Sequence, residues 1–170
     1  MTQSSQPLFT QICIVVYNVE QASLDWAKVL GVQPATIELM TNNGLIHYTY
    51  GNKMEYSGCR IAKYLLNHIV LELIQPDESP SPWRTFLDNH GQGVFHFCLF
   101  VDDRKSMYRT LMDSGADPPY HIGYFQQGSY SYVDTKAQLG LELSINNLTD
   151  NEYLMQMLNQ GSAKPLDELK

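Results

Sequence analysis

Four polar side chains stand inside stretches that are otherwise apolar. Gln11 lies in Phe-Thr-Gln-Ile-Cys-Ile-Val-Val, Glu72 in Ile-Val-Leu-Glu-Leu-Ile, His96 in Val-Phe-His-Phe-Cys-Leu-Phe and Glu142 in Leu-Gly-Leu-Glu-Leu-Ser-Ile. A carboxylate set mid-strand among aliphatic neighbours is costly to bury alone, so it pairs, protonates or coordinates a cation. Two such carboxylates facing each other need positive charge between them, and one divalent ion neutralises two glutamates. A donor set of one imidazole nitrogen and three oxygens, without thiolate, favours Zn, Ni, Co, Mn or Fe(II) over copper(I) or an iron–sulfur cluster. The expectation is one divalent metal ion held by Gln11, Glu72, His96 and Glu142. For any one of them alone, the competing reading is a polar residue facing solvent on an open sheet face.

The four are related by an internal repeat. Gln11-Ile-Cys-Ile-Val-Val16 runs into a helical stretch and then Gly31-Val-Gln-Pro34. His96-Phe-Cys-Leu-Phe-Val101 runs into a second helical stretch and then Gly115-Ala-Asp-Pro118. Gln11 aligns with His96, Cys13 with Cys98, and Leu-Glu-Leu at 71–73 with Leu-Glu-Leu at 141–143. A two-fold repeat fixes architecture before detail, and here it superposes the candidate ligands in pairs.

The elements that must carry them read as β-α-β-β-β, twice, an α+β class. Gln11–Tyr17 alternates and is β-branched, as a strand should be. Val19–Leu30 has Ala22, Trp26, Val29 and Leu30 at helical spacing, with Gly31 as its stop. Thr36–Met40, Leu45–Tyr50 and Ile69–Ile74 read as strands, with Asn42-Asn43-Gly44 as a hairpin signal. Ser81-Pro82 opens a bridging helix over Trp83–Asn89. The second module follows with strand His96–Val101, helix Lys105–Ser114, a Tyr-rich region at 120–133 and strand Leu139–Ile145. One domain over 8–146 results: module one 8–76, bridging helix 81–90, module two 93–146. Residues 147–170 read as a C-terminal helix and tail, with Tyr153, Leu154, Met157 and Leu158 forming an apolar stripe for the body or a second subunit.

Composition narrows the function class. Over 170 residues, 44% hydrophobic and 17% charged content belong to a globular chain. A net charge of −7 argues against nucleic-acid binding, which needs a basic face. No apolar run reaches the roughly 18–20 residues of a membrane span. The start has no basic and apolar leader pattern, so it reads as no secretory signal. Three cysteines without a close pair suit a reducing cytoplasm, and the Asn147-Leu-Thr149 sequon then carries no meaning. Cys13 and Cys98 read as small core residues; His47, His68, His90 and His121, lacking repeat partners, read as surface or turn histidines.

The segments Leu71-Glu-Leu-Ile-Gln-Pro76, Ser81-Pro-Trp-Arg-Thr-Phe-Leu87 and His90-Gly-Gln-Gly-Val-Phe-His-Phe-Cys-Leu-Phe-Val-Asp-Asp103 resemble the vicinal oxygen chelate superfamily. Within this glyoxalase, bleomycin-resistance and dioxygenase group, the pattern is most similar to methylmalonyl-CoA epimerase. The resemblance covers roughly residues 8–146. It implies tandem βαβββ modules curling into a cup-shaped, mixed and antiparallel sheet around one metal. It also implies ligands on the first and last strand of each module: Gln11, Glu72, His96 and Glu142. Gln11 departs from the His usual in epimerases and gives a Gln/Glu/His/Glu set similar to eukaryotic glyoxalase I. A His/His/carboxylate iron site of the ring-cleaving dioxygenases is not formed, because Gln11 stands where the second His belongs.

The implied chemistry is proton transfer beside a carbonyl, with the metal as Lewis acid. By resemblance Glu142 is the base, Glu72 the acid of the opposite face in an epimerase, and Glu55 a weaker candidate. The implied substrates are an acyl-CoA thioester or a glutathione hemithioacetal, on a cytoplasmic homodimer that binds neither nucleic acid nor membrane. Phosphate contacts to CoA would come from Lys53, Arg60, Lys63, Arg84 and Lys136, and Tyr120, Tyr124, Phe125, Tyr130 and Tyr132 could wall the site. The alternatives are a lactoylglutathione lyase and a non-catalytic ligand-binding protein of the same fold.

Overall fold

Asn18 and Gly31 bracket the first helix as their chemistry requires. The Asn18 side chain accepts a hydrogen bond from the Gln21 amide at 2.8 Å, and Gly31 closes the helix in the left-handed conformation at φ 69°. Helix α1 therefore spans Val19–Leu30. The structure is a computed structural model, describing residues 6–40, 46–54, 58–67, 69–125 and 128–147. The chain divides into two compact units: Thr10–Asn43 with Glu55–His96, and Met1–Phe9 with Gly44–Met54 and Phe97–Lys170.

The first unit holds β1 (Leu8–Val15) beyond its first two residues, α1, β2 (Glu38–Met40), then β5 (Cys59–Leu66), β6 (Ile69–Gln75) and helix α2 (Pro82–His90). Its strands lie in the order β2-β5-β6-β1. β1 runs parallel to β6, and β5 antiparallel to both β6 and β2. One face of this sheet meets α1. Val16, Val19, Ala27, Ala62, Tyr64, Leu71 and Leu73 form the core there, with Ile12 and Ile14 packed against it. Tyr64 ties helix to sheet by donating to the Ser23 carbonyl at 2.6 Å and accepting from the Ala35 amide at 3.1 Å. The bridging helix begins where Ser81 accepts from the Arg84 amide at 3.0 Å, with proline in its first turn.

Strand β7 (Gly93–Phe100) begins in the first unit and ends in the second. There follow α3 (Arg104–Asp113), β8 (His121–Phe125), β9 (Gly128–Val133), α4 (Lys136–Leu139) and β10 (Glu142–Asn147). The strand order is β7-β10-β9-β8, and the antiparallel hairpin β3 (Ile46–Thr49) and β4 (Asn52–Met54) extends it beyond β8. Leu99, Val101, Tyr108, Leu111, Ala116, Ile122, Val133, Leu143 and Ile145 fill the face toward α3. Arg104 is buried here, donating to the Ser129 hydroxyl and carbonyl at 2.8 Å each. Asn147 is buried as well, and its amide donates to the Val101 carbonyl at 2.7 Å, so the sequon asparagine is a core hydrogen-bonding group.

The expected α+β class with a repeated βαβββ order is observed, with three differences. The strand read over Leu45–Tyr50 forms as β3, but it pairs with β4 and β8 inside the second unit and not with the sheet of the first. The third sheet strand of the first unit is β5, which sequence reading missed because Arg60 and Lys63 interrupt its apolar run. Strand Leu139–Ile145 is also shifted: the short helix α4 takes Leu139 and β10 starts at Glu142. The Asn42-Asn43-Gly44 hairpin signal, Glu55, His68 and the C-terminal helix lie outside the described residues.

Candidate functional site

Strand alternation decides where the four candidate ligands emerge. In β6, Leu71 and Leu73 belong to the core under α1, so Glu72 between them projects from the other face. Gln11, between Thr10 and Ile12 on β1, shares that face. The Gln11 side-chain amide donates to Glu72 Oε1 at 2.9 Å. Lys63, the cross-strand partner of Glu72 on β5, brings its ammonium to 3.4 Å from Glu72 Oε2. Both Glu72 oxygens thus carry a donor. Cys13 lies on the same face, and burial first, then the Glu72 charge and a hydrogen bond to it, push its thiol well above the usual range. His96 is 2% exposed, and burial drives its imidazole down to about 3, leaving it neutral.

In the second unit Leu143 and Ile145 face the helix-side core, so Glu142, Ser144 and Asn146 occupy the opposite face of β10. Glu142 is 2% exposed. The Tyr120 hydroxyl donates to its Oε1, and Lys136 Nζ lies 3.1 Å from its Oε2. Burial raises the Glu142 carboxyl, while Tyr120 and Lys136 pull it back; the net direction is upward. Burial and the Glu142 charge push Tyr120 well up. Burial lowers Lys136, but the charges and hydrogen bonds of Glu142 and Asp134 together outweigh it, and the net direction is upward. Tyr50, from just beyond β3, stacks on Tyr120 at 5.3 Å.

Register extends this polar face across the sheet. Ser144 pairs with Tyr132, Tyr132 with His121 and His121 with Thr49. His121 is fully buried, bonds the Thr49 hydroxyl through Nδ1 at 2.8 Å and stacks on Tyr132 at 4.7 Å. The reading of His121 as a surface or turn histidine is therefore corrected, whereas His90 is exposed as expected. Tyr130 and Tyr132 do form aromatic neighbours, at 5.4 Å. The pair Tyr120 and Lys136 was missed as a set of partners for Glu142; the cue available was a tyrosine opening the Tyr-rich region and a lysine just beyond it.

As a donor set, a neutral imidazole, two carboxylates and an amide suit a borderline divalent ion. Among the described residues, no three His, Cys, Asp or Glu side chains are grouped so as to hold one. The positive partner of each carboxylate is instead a lysine. The five basic residues expected near a CoA phosphate are mostly engaged too. Arg60 pairs with Glu20, Arg84 with Asp88, Lys63 with Glu72 and Lys136 with Glu142.

A family model, described as Glyoxalase/Bleomycin resistance protein/Dioxygenase superfamily, matches residues 10–131. No curated protein matches the chain. Hypothetical protein BH1468 from Bacillus halodurans has a similar fold, with TM-score 0.58, 15% identity and coverage of 86% of this chain and 98% of that one. Methylmalonyl-CoA epimerase from Mycobacterium tuberculosis gives 0.56, 16%, 85% and 90%. A variant of Streptomyces coelicolor methylmalonyl-CoA epimerase, in complex with 2-nitronate-propionyl-CoA, gives 0.56, 14%, 86% and 100%. At these identities the likeness is one of fold. Among the described residues no helix is long and apolar enough to cross a membrane.

Proposed function

Because the chain belongs to the glyoxalase/bleomycin resistance protein/dioxygenase superfamily, we propose that it moves a proton at the carbon alpha to a thioester carbonyl, as a methylmalonyl-CoA epimerase does. The observation that carries this reading is Glu142, a buried carboxylate fixed by two donors from the same unit. Burial makes it a stronger base than a surface glutamate, and Tyr120 and Lys136 hold it in one orientation. The carboxylate takes the α-proton, the C–H electron pair delocalises toward the carbonyl, and the same oxygen or a second acid returns a proton. Glu72 is the second acid–base candidate. Gln11, Glu72, His96 and Glu142 are the proposed holders of a divalent ion, which when bound supplies Lewis-acid polarisation of the carbonyl. The reading includes a small-molecule acyl-CoA substrate, a homodimer and a cytoplasmic location; three buried cysteines outside any disulfide support the last.

The second reading is lactoylglutathione lyase chemistry on a glutathione hemithioacetal. The engagement of Arg60, Lys63, Arg84 and Lys136 in ion pairs favours it, since a CoA phosphate then has fewer cations to meet. Incubation of metal-replete protein with a 2-methyl acyl-CoA in deuterated water separates the readings. Deuterium should enter the α-carbon without net consumption of the thioester. No exchange, with conversion of methylglyoxal and glutathione to a thioester, selects the lyase. Neither activity selects a ligand-binding protein of the same fold.

A further inference from the structure

The hairpin of β3 and β4 turns through two residues that both take positive φ, Tyr50 at 48° and Gly51 at 77°. This is the primed turn that matches the twist of the flanking strands, and its usual occupants are Asn-Gly or Gly-Gly. Gly51 suits its place. Tyr50 does not, because the left-handed region crowds Cβ against the following carbonyl oxygen. A bulky residue persists there only where its surroundings hold it, and such positions cluster at functional sites. Tyr50 is held against Tyr120 twice over. Its backbone amide donates to the Tyr120 carbonyl at 2.6 Å, and its ring stacks on the Tyr120 ring at 5.3 Å with 25° between the planes. Tyr120 is the residue whose hydroxyl donates to buried Glu142. All three belong to the second unit.

We propose that Tyr50 is a positioning residue: its ring fixes the Tyr120 phenol, and through it the Glu142 carboxylate. This rests on the reading of Glu142 as the base that takes the α-proton. A phenol hydroxyl moves with two side-chain torsions, and a rotation that carries it away releases Glu142 Oε1. Stacking on a second ring restricts that motion, because aromatic pairs favour a narrow set of arrangements. On the other carboxylate oxygen, Lys136 is half-exposed and is shared between Glu142 at 3.1 Å and Asp134 at 3.3 Å. The phenol is therefore the more exacting of the two donors. An asparagine at position 50 would suit the turn and leave that phenol unsupported.

The test compares Tyr50→Asn, Tyr50→Leu and Tyr50→Phe in the full chain, by α-proton exchange of a 2-methyl acyl-CoA under the conditions given above and by thermal melting. Asparagine tolerates the left-handed turn, so its better backbone fit offsets the lost ring contact. Tyr50→Asn should melt within about 2–4 °C of wild type, while kcat falls about 10–100-fold at unchanged KM. Tyr50→Leu, which keeps an apolar group but no ring, should lose kcat to the same degree. Tyr50→Phe keeps the stack and should retain it. In a Tyr120→Phe background, Tyr50→Asn should have no further effect, since it acts through the hydroxyl. A readout independent of turnover is the proton NMR signal of the Tyr120 hydroxyl, identified by its loss in Tyr120→Phe. It should persist in Tyr50→Phe and broaden away in Tyr50→Asn. Unchanged kcat in Tyr50→Asn and Tyr50→Leu, a rise in KM alone, or a hydroxyl signal that persists in Tyr50→Asn overturns the positioning role. Wild type without exchange removes the reading of Glu142 as base, and the hydroxyl signal then decides the positioning by itself.

Discussion

Glu142 meets two opposed demands: burial favours its neutral form, and its donors favour the anion. The hydroxyl of Tyr120 and the ammonium of Lys136 can satisfy a carboxylate but cannot both satisfy an amide. This is why Glu142→Gln discriminates between ligation and catalysis. On the proposed metal reading the amide oxygen could still coordinate, so the variant should keep much of the wild type's affinity for a divalent ion. A neutral amide accepts no α-proton at useful rates, so α-exchange should drop by about 10²–10⁴-fold. Glu72→Gln makes the same change at the repeat-related position. In a one-base reaction it should cost far less, and in a two-base epimerase the two losses should be comparable. Full exchange activity in Glu142→Gln would place the base elsewhere.

At the scale of elements, the strands of the second unit depend on an aromatic ring lying over a glycine. Gly123 on β8 pairs with Tyr130 on β9. A Cβ built at Gly123 would fall 2.2 Å from Tyr130 Cζ, so the ring occupies the space a side chain would take. Tyr130 also lies 5.8 Å from His121 and 5.4 Å from Tyr132, so moving it disturbs the whole polar-aromatic face. Gly123→Ala should destabilise the protein by about 1–3 kcal/mol through overpacking. Urea unfolding followed by circular dichroism measures this, and an unchanged midpoint would mean that the ring has somewhere else to go. The hairpin β3–β4 enters the same assembly through Thr49, whose hydroxyl meets His121.

For the whole molecule, the buried thiols and phenols set an alkaline limit. Burial pushes Cys59 up to about 12 from its ordinary 9.0. Cys13, Tyr50 and Tyr120 shift the same way, each with burial as the main cause. A group whose folded pKa is raised contributes stability that is complete below its unfolded pKa and is lost as pH rises through the folded value. For Cys59 that window runs from 9.0 to about 12. The melting temperature should hold from neutrality to pH 9 and then fall, with a shallower fall in Cys59→Ala. A melting curve equally steep in the variant would show that Cys59 contributes nothing to this limb.

The repeat, the four polar positions inside apolar strands, and the bounds of α1 and α2 were all determined by local sequence. Each is written as a period of about two or 3.6 residues, or as a cap or stop within one turn. Gln11 and Glu72 share a strand face, and a hydrogen bond joins them. Tertiary structure alone decided which charges meet. Lys63 reaches Glu72 through cross-strand register, and Tyr120 reaches Glu142 from a position 22 residues away. It decided, too, that the hairpin at 46–54 pairs with β8 and that His121 is buried, although His121 carries no repeat partner to announce it. Alternation reports the face a residue takes on its own strand. The identity of its neighbour depends on how separate strands align, and no single stretch of sequence encodes that alignment.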